Sequence, residues 1–389
     1  MARKQEITRR GFIGGTAVAL ASAGIVPGAG ISGIRDWRVR GDSVDDALII
    51  EADDYDDLIK LNYNENPYGP SQPVLAAMTD AFKYSNRYGY PDRGVKAAIA
   101  EHHGVKPENI LLGAGSGEIL EVVGLSLLGA GKKVVGSDPS YGAVYSHASG
   151  IHAESITVPL LPDYQQDIPA LIEATRRHYR EVGFVYLCNP NNPTGRPVPS
   201  ADVQALLDGI PDDVPVLIDE AYHHFVDDPA YTSSIPHVLE GRRVIVARTF
   251  SKLYGLAAMR LGFGVATPEM IKTMQPYATG SVNALAKWGA VAALQDTDGQ
   301  RRVRDETIRL RRKTTKELAA LGYEVIPSET NFIMVHTGRP AREVRAAFRE
   351  RGIVVGRPFP PLLEHLRVSI GSEAEMAAFM DAFRDIFRK

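Results

Sequence analysis

The sequence lacks several features that would direct it to particular classes of protein. It has a single cysteine, Cys188, so no disulfide can form within the chain. The cysteine content therefore indicates neither an oxidising nor a reducing compartment. It also lacks a large net charge, because 44 Lys and Arg residues stand against 47 Asp and Glu residues, which gives −3. No surface for polyanions is therefore indicated, and nucleic acid is not an expected partner. No internal repeat or low-complexity tract follows residue 33.

Metal chemistry is not indicated either. The adjacent histidines His102-His103 and His223-His224 have no partner ligands at a suitable spacing, and neighbouring side chains point in different directions. We interpret these histidines as structural and expect no metal site. Cys188 follows an apolar run without a base in its motif, so we expect it in the core.

The N-terminus carries a pattern typical of an export signal. Thr8-Arg9-Arg10-Gly11-Phe12 precedes an uncharged stretch that reaches Ile34 and is rich in Ala and Gly rather than Leu. This arrangement predicts a twin-arginine signal over residues 1–33, with Ala21-Ser22-Ala23 as a cleavage site. The twin-arginine translocase would then carry the protein to the periplasm or the exterior, tethered to the membrane if the signal stays uncleaved. The alternatives are a transmembrane anchor and a basic disordered tail.

The remaining length predicts two domains behind an N-terminal arm at residues 34–72. Apolar runs alternate with amphipathic stretches over residues 73–278, which is typical of a large α/β domain. Beyond Pro276, two long helical patterns are followed by three short strand patterns, with a helix predicted at Ala341–Arg349 between the last two strands. Residues 279–389 are therefore predicted to form a smaller α+β domain.

Three predicted strands end in polar residues. These strands are Phe184–Leu187, Val214–Ile218 and Val244–Ala247. The polar residues that follow them are Asn192, Asp219, Tyr222, Thr249, Ser251, Lys252 and Arg260. Because ligands of open α/β sheets bind beyond the carboxyl ends of the strands, we expect these side chains to converge on one site.

The converging groups match the chemistry of pyridoxal phosphate. Its aldehyde needs a lysine amine, and its pyridine nitrogen needs an acid to stay protonated as an electron sink. Its phosphate needs hydroxyls, an arginine and backbone N–H groups. Gly113 to Gly117, just before a predicted helix at Glu118, can supply those N–H groups at a helix N-terminus.

Several motifs, in a compatible order, resemble those of a known family. They are Asn191–Gly195, Asp219–Tyr222, Ser251–Arg260 and Leu366–Gly371, which resemble motifs of the fold-type I aminotransferases. Asn64–Ser71 and Asn86–Tyr88 resemble the histidinol-phosphate aminotransferase branch. The resemblance covers about residues 60 to 375, and the agreement of several motifs is far more specific than any one of them.

The resemblance implies a fold-type I pyridoxal-phosphate-dependent transferase of α/β class. Its large domain would hold a mostly parallel seven-stranded sheet flanked by helices, with a smaller α+β C-terminal domain. The resemblance also implies a homodimer with shared active sites, in which Tyr88 reaches the cofactor phosphate of the neighbouring subunit.

The family roles can be carried over residue by residue. Lys252 resembles the lysine that forms the Schiff base and shuttles the proton. Asp219 resembles the partner of the pyridinium nitrogen, while Asn192 and Tyr222 resemble the residues that bind the phenolic oxygen. Tyr141 resembles the aromatic residue that stacks on the ring.

The remaining roles concern the phosphate and the substrate. The resemblance implies a phosphate site formed by Gly115, Ser116, Gly117, Thr249, Ser251 and Arg260. Arg367 resembles the clamp for a substrate carboxylate or phosphate, and Asn66 and Arg357 are expected beside the substrate.

The predicted activity is amino transfer to a 2-oxo acid such as 2-oxoglutarate, with the amino donor left open. The family's Leu-x-Pro-Tyr-x-Pro-Gly element is absent from residues 35–61, and Arg357 is shifted by one position from the branch pattern. Histidinol phosphate and an aromatic or other α-amino acid therefore both remain candidate donors. The alternatives are a decarboxylase or lyase similar to threonine-phosphate decarboxylase and a non-catalytic exported amine-binding protein. Lys252 together with Asp219 argues against the last, because binding alone needs no electron sink.

Overall fold

The computed structural model describes residues 55–129 and 131–388. The predicted export signal at residues 1–33, and the part of the predicted arm that precedes Tyr55, lie outside the described residues. Within the described ranges, no helix is both long and apolar enough to cross a membrane.

A seven-stranded sheet forms the centre of the larger part of the molecule. Its spatial order is β2-β8-β7-β6-β5-β3-β4. The strands are β2 (Ile110–Gly113), β3 (Lys133–Asp138), β4 (Ser155–Pro159), β5 (Val182–Cys188), β6 (Val216–Asp219), β7 (Val244–Thr249) and β8 (Gly262–Val265). Neighbouring strands are parallel except for β8, which pairs antiparallel with both β2 and β7. The predicted mostly parallel seven-stranded α/β sheet is thus confirmed.

The central strands are apolar on both faces because helices cover both faces of the sheet. Every residue of β5 is buried. Val185 and Leu187 pack into the core on one face, whereas Phe184 and Tyr186 pack into the core on the other. This burial on two sides explains why β5, β6 and β7 read as continuous apolar runs rather than as alternating patterns.

Helices accompany this sheet. They are α1 (Gln72–Ala81), α2 (Val95–His102), α3 (Ser116–Leu127), α4 (Ala143–Gly150), α5 (Ile168–Arg177), α6 (Ser200–Gly209), α7 (Ile235–Leu239), α8 (Pro268–Met274) and α9 (Ala284–Gln295). The helix predicted to begin at Glu118 begins two residues earlier, at Ser116, directly after the glycine-rich turn.

The C-terminal part contains a small antiparallel sheet of order β12-β10-β9. Its strands are β9 (Val325–Ile326), β10 (Phe332–His336) and β12 (His365–Ser369), and its helices are α10 (Thr297–Ala320), α11 (Ala341–Arg349) and α12 (Glu373–Ile386). A separate parallel pair joins β1 (Ile59–Leu61) to β11 (Ile353–Val355). This pair attaches the segment after β1 to the C-terminal part. The described residues all belong to one compact unit, and the domain boundary at residue 278 stays a prediction.

Candidate active site

The carboxyl ends of the central strands open into a cavity of about 330 Å³. Segments after β1 and β11, together with β12, close its other side. Twelve of the residues predicted for the site line the cavity: Ser116, Gly117, Tyr141, Asn192, Asp219, Tyr222, Thr249, Ser251, Lys252, Arg260, Arg357 and Arg367. The convergence expected from the strand ends is therefore what the structure shows.

Lys252 lines this cavity beside Tyr222 and the segment after β1. Its Nζ donates a hydrogen bond to the carbonyl of Tyr63 at 2.9 Å and lies 5.7 Å from the centre of the Tyr222 ring. Burial lowers the pKa of Lys252 to about 8, and the cationic Arg367 acts in the same direction. An amine with this pKa is neutral in a useful fraction near neutral pH, as a nucleophile and proton carrier must be.

Asp219 presents a buried carboxylate at the end of β6. The residue is 3% exposed, and its Oδ1 accepts a hydrogen bond from the backbone N–H of Ala221 at 3.2 Å. Burial raises the pKa of Asp219 to about 7, with a further rise from Glu220 and an opposing effect from Lys252. A buried acid in this state favours a cationic partner, because pairing would compensate the cost of burying its charge.

Tyr222 and Asn192 are held by neighbours from the C-terminal part and from the segment after β1. The Tyr222 hydroxyl accepts a hydrogen bond from Asn64 Nδ2 at 3.0 Å. Burial raises the pKa of Tyr222 above its usual value, which keeps the phenol protonated. Arg367 Nη1 donates to Asn192 Oδ1 at 2.8 Å. This contact uses the amide oxygen of Asn192 and leaves its Nδ2 group to donate to a ligand. Both side chains can therefore donate to an anionic oxygen.

An anion-binding cup forms where the helix α3 begins. Ser116 and Gly117 open the helix, so their backbone N–H groups have no partner within it. Ser251 Oγ accepts a hydrogen bond from Thr249 Oγ1 at 2.9 Å, and Arg260 Nη1 lies 3.4 Å from the same oxygen. Together these groups provide two hydroxyls, a guanidinium and helix N–H groups.

Gly115 is required at this cup by its backbone and by its close neighbour. Its φ is +86°, a conformation that side chains disfavour. A Cβ at this position would also lie 2.1 Å from Arg260 Nη2. Gly115 does not line the cavity itself, but its lack of a side chain allows Arg260 to reach the cup.

The remaining wall of the cavity is rich in arginine. Arg367 Nη2 donates to the carbonyl of Asn62 at 2.6 Å, and its guanidinium lies 4.6 Å from the centre of the Phe359 ring. Arg357 stacks on the same ring at 4.4 Å. Arg345, on α11, lines the cavity with them. Three guanidinium groups therefore lie on the side of the cavity formed by the C-terminal part.

Besides Gly115, two predicted residues, Asn66 and Tyr88, do not line the cavity. The side chain of Asn66 donates from Nδ2 to the carbonyl of Leu253 at 2.8 Å and accepts from the backbone N–H of Tyr68, so it holds the loop after Lys252. Its role in substrate binding stays a prediction. Tyr88 lies on the surface, and its side chain is fully exposed to solvent. Within the single chain it contacts no part of the cavity, and its role across a dimer also stays a prediction.

Sequence reasoning missed Asn64 and Arg345. Asn64 connects three elements, since its side chain donates to Tyr222 and accepts from Ser369 Oγ at 3.0 Å, while its carbonyl accepts from Asn331. Its positive φ of 56° is one that Asn tolerates better than most residues. Asn64 stands in the motif quoted for the resemblance, so a signal was present, but the choice between Asn64 and Asn66 needed the fold. No local signal marks Arg345.

Metal ligands are not grouped in this structure. Within residues 55–129 and 131–388, no cluster of three or more His, Cys, Asp or Glu side chains could hold a metal ion. Cys188 is buried at the end of β5 and contacts the cavity, and burial raises its pKa to about 12, so it stays a neutral thiol.

Comparison with known proteins identifies close similarity over most of the chain. Residues 56–383 match the family model described as aminotransferase class I and II. The histidinol-phosphate aminotransferase of Moorella thermoacetica is 36% identical over 341 residues, which cover 85% of this chain and 86% of the relative. That of Maricaulis maris is 35% identical over 370 residues, covering 92% and 98%.

A solved structure is similar as well. It is histidinol-phosphate aminotransferase from Sinorhizobium meliloti in complex with pyridoxal-5'-phosphate, with a TM-score of 0.79 and 30% identity, covering 85% of this chain and 91% of that one. The residues of the present cavity fit the same ligand. The cup at α3 suits a phosphate, the buried acid of Asp219 suits a ring nitrogen, and the amine of Lys252 lies in the same cavity for an aldehyde.

Proposed function

Because the chain belongs to the class I and II aminotransferase family, we propose that its amino donor is a histidinol-phosphate-like amine, anchored by its phosphate on the arginine wall. The chain is a pyridoxal-phosphate-dependent aminotransferase, which moves an amino group between an amine donor and a 2-oxo acid. The observation that carries the donor proposal is the grouping of Arg345, Arg357 and Arg367 in the cavity that also holds Lys252. The names of the relatives support the same donor.

The residues of the chain divide the chemistry among themselves. Bound pyridoxal phosphate supplies an aldehyde that joins to amines and a ring that accepts electrons from the substrate. Lys252 would hold the cofactor at this aldehyde, and its amine is the group in the cavity that could carry the proton of the substrate α-carbon. Asp219 would keep the ring nitrogen protonated. Tyr222 and Asn192 would donate to the phenolic oxygen, and the cup at α3 would hold the phosphate.

The arginine wall explains how one cavity can accept both substrates. A phosphate monoester carries close to two negative charges at neutral pH, and planar guanidinium groups bind such oxygens in pairs. A 2-oxo dicarboxylate carries two separate carboxylates that can use the same arginines in turn. Aromatic contact with Phe359 restrains Arg357 and Arg367, so less side-chain entropy is lost on binding.

A donor panel tests this proposal. Histidinol phosphate, histidinol, phenylalanine, aspartate and threonine phosphate would each be mixed with the purified protein and 2-oxoglutarate, with glutamate and carbon dioxide measured. We expect kcat/KM for histidinol phosphate to exceed that for histidinol by at least ~100-fold, since a buried charge-assisted anchor contributes about 3 kcal/mol. A donor without an anionic group that reacts equally well would contradict the proposal. Carbon dioxide release without glutamate would instead identify a decarboxylase.

Substitution of the wall gives an independent check. Arg357→Met should raise KM for the phosphorylated donor roughly tenfold or more and leave the absorption spectrum of the bound cofactor unchanged. Arg351→Met, on the surface where Arg351 pairs with Asp385, is the matched control and should change neither. An unchanged KM in the Arg357 variant would remove this residue from the substrate site.

The family resemblance and the exposure of Tyr88 support a homodimer. A large aromatic side chain is rarely fully exposed on a monomer, and the family resemblance implies that Tyr88 reaches the cofactor phosphate of the neighbouring subunit. We infer that two chains associate with Tyr88 of each contributing to the site of the other.

Export remains a proposal that rests on the sequence of the first 33 residues. The twin arginine, the Ala- and Gly-rich stretch and the small residues at Ala21-Ser22-Ala23 support passage through the twin-arginine translocase. This route carries folded proteins, so the cofactor would be bound before export.

A further inference from the structure

A buried ion pair lies behind the strand ends that carry Asp219 and Thr249. Glu220 follows Asp219 at the end of β6, and Arg248 precedes Thr249 in β7. Glu220 is 0% and Arg248 3% exposed. Neither residue lines the cavity, in keeping with the alternation of side chains along a strand. The pair therefore ties together the two strands that hold the ring-nitrogen acid and the phosphate cup.

The hydrogen bonds of this pair are well satisfied. Arg248 donates from Nε at 3.1 Å and from Nη2 at 2.6 Å to the same carboxylate oxygen of Glu220. Ser233 Oγ donates to that oxygen at 3.0 Å, and the backbone N–H of Ser234 donates to the other oxygen at 2.6 Å. Arg248 Nη1 lies 3.4 Å from His103 Nδ1. A buried carboxylate with this many donors and a cation is rigid and fully compensated.

Neutral groups surround the pair. The titratable side chains that face it from the neighbouring elements are His102, His103, His223, His224, Tyr231 and Tyr254. Burial, and then the charge of Arg248, lowers the pKa of each histidine, and burial raises the pKa of both tyrosines. These groups are therefore uncharged at neutral pH. None of these six groups can therefore compensate the charge of Glu220, which is left to Arg248.

The charge balance of the pair reaches Asp219. The other titratable groups near Asp219 are Lys252, Tyr186, Cys188 and Tyr231. Burial is the largest cause that raises the pKa of Asp219, and the charge of Glu220 raises it further. An uncompensated Glu220 would therefore make Asp219 harder to ionise, whereas a compensated one leaves it able to pair with a cation.

We propose that the Glu220–Arg248 pair is a positioning device for Asp219. It cancels the negative charge beside the carboxylate and fixes the ends of β6 and β7, so that Asp219 can ionise and is directed at the cofactor ring nitrogen. The pair acts through Asp219 and touches neither substrate nor cofactor. The inference rests on the role of Asp219 in the proposed function.

The proposal predicts shifts of opposite sign for the two partners. In the cofactor-free state a protonated Asp219 must lose its proton to pair with the ring nitrogen. Cofactor affinity should therefore fall as the pH falls through the pKa of Asp219, which is about 7. Arg248→Met leaves Glu220 uncompensated and should move this fall to higher pH by about one unit or more. Glu220→Gln removes the negative charge and should move it to lower pH.

The measurement starts from the full-length loaded protein. The loaded protein is diluted and separated from free cofactor by ultrafiltration at a series of pH values from about 5.5 to about 9, and the dissociation constant of pyridoxal phosphate is determined at each pH. The double variant Glu220→Gln/Arg248→Met should return close to the pH position of the parent. Arg248→Lys retains the positive charge. Its cofactor affinity should therefore fall at the same pH as in the parent protein, even if the affinity is weaker at every pH.

Asp219→Asn separates failure of this proposal from failure of the cofactor role. It should remove the part of the fall that the two partner variants move, leaving only the pH dependence that protonation of Lys252 imposes, and Arg248→Met added to it should then cause no shift. If Asp219→Asn leaves the whole curve unchanged, the pairing of Asp219 with the ring nitrogen is wrong. If Asp219→Asn changes the curve but the two partner variants shift the fall in the same direction, or not at all, the positioning proposal is overturned. If Arg248→Met fails to fold, Glu220→Gln alone tests the proposal. In that variant the fall in cofactor affinity should move to lower pH, and an unmoved fall overturns the proposal.

Discussion

At the scale of single residues, the chemistry depends on two groups with perturbed acidity in one cavity. Lys252 is a weaker base than a free lysine, and Asp219 is a weaker acid than a free aspartate. Burial is the main cause of both shifts, since it disfavours the charged form of either group. Perturbed neighbours of this kind are typical of active sites, because each proton can then be exchanged near neutral pH.

The pKa of Lys252 predicts how cofactor binding depends on pH. Only the neutral amine attacks an aldehyde, so the rate at which cofactor-free protein takes up pyridoxal phosphate should rise about tenfold per pH unit and level off above about pH 8. Arg367 lowers this pKa, so Arg367→Met should move the plateau to higher pH. Stopped-flow measurement of the bound cofactor band at several pH values checks the shift. Arg351→Met should leave the curve in place, and an equal shift in that control would contradict the argument.

The sequence was sufficient for residues that follow strands and insufficient for residues placed by packing. Asn192, Asp219 and Lys252 lie at the carboxyl ends of apolar strands or within four residues of them, so their convergence could be predicted from the geometry of parallel sheets. Asn64 and Asn66 have the same chemistry two positions apart, and only the contacts of Asn64 with Tyr222 and Ser369 distinguish them. Such contacts join residues more than 150 positions apart, and no local pattern encodes them.

At the scale of elements, the anion cup depends on how α3 begins. The glycine-rich turn gives the helix its exposed N–H groups, and Gly115 leaves room for Arg260. Arg260 in turn adopts a positive φ of 54°, an uncommon conformation for a residue with a long side chain. The turn and the arginine therefore form one unit, in which a change at either should disturb the phosphate site.

A methyl group at Gly115 tests this unit. Gly115→Ala should weaken binding of pyridoxal phosphate by roughly tenfold or more, because the added Cβ displaces the Arg260 guanidinium and the phosphate loses a charge-assisted bond of about 1.5–3 kcal/mol. Gly104→Ala is the matched control: Gly104 also has a positive φ, of 64°, but nothing lies within 4 Å of the added Cβ. The control should lose about 1 kcal/mol of stability and no cofactor affinity. Equal affinity losses in both variants would show that backbone strain, not the clash, is responsible.

Elements differ in how well their sequences predict them. The helix at Ala341–Arg349 begins and ends at the predicted residues, because its apolar positions recur at helical spacing. The parallel pair of β1 and β11 escaped prediction, since each strand has three residues and its partner lies far away in the chain. Helix α12 also escaped prediction, although Ser372 and Glu375 form a capping box that signals a helix start.

At the scale of the whole molecule, the proposed export signal in the first 33 residues would determine where the enzyme acts. Changing Arg9 and Arg10 to lysine should leave the precursor in the cytoplasm, because the translocase recognises the paired guanidinium groups rather than charge alone. Cell fractionation with activity assays of each fraction checks this outcome. Changing Arg3 and Lys4 instead is the control, since these residues lie outside the pair and should affect export less. Unaltered export of the Arg9 and Arg10 variant would contradict the prediction.

Two inactive variants can test whether sites are shared between chains. Lys252→Ala removes the amine from its own site, and Tyr88→Ala removes the hydroxyl that each chain is proposed to lend to its partner. In a mixed dimer, the site with an intact Lys252 then faces an intact Tyr88, whereas the other site lacks both. Subunits that mix at random at equal concentration should recover activity in roughly a quarter of all sites.

This recovery is specific to shared sites. If Tyr88 served the site of its own chain, the subunit with an intact Lys252 would still lack its tyrosine in every dimer, and mixing would restore nothing. Tyr277→Ala is a suitable control for the second partner, because Tyr277 is also exposed but lies outside the cavity. It should be active before mixing. Absence of recovery on mixing, with dimers confirmed by light scattering, would place Tyr88 outside the shared site while leaving the assignments of Lys252 and Asp219 intact.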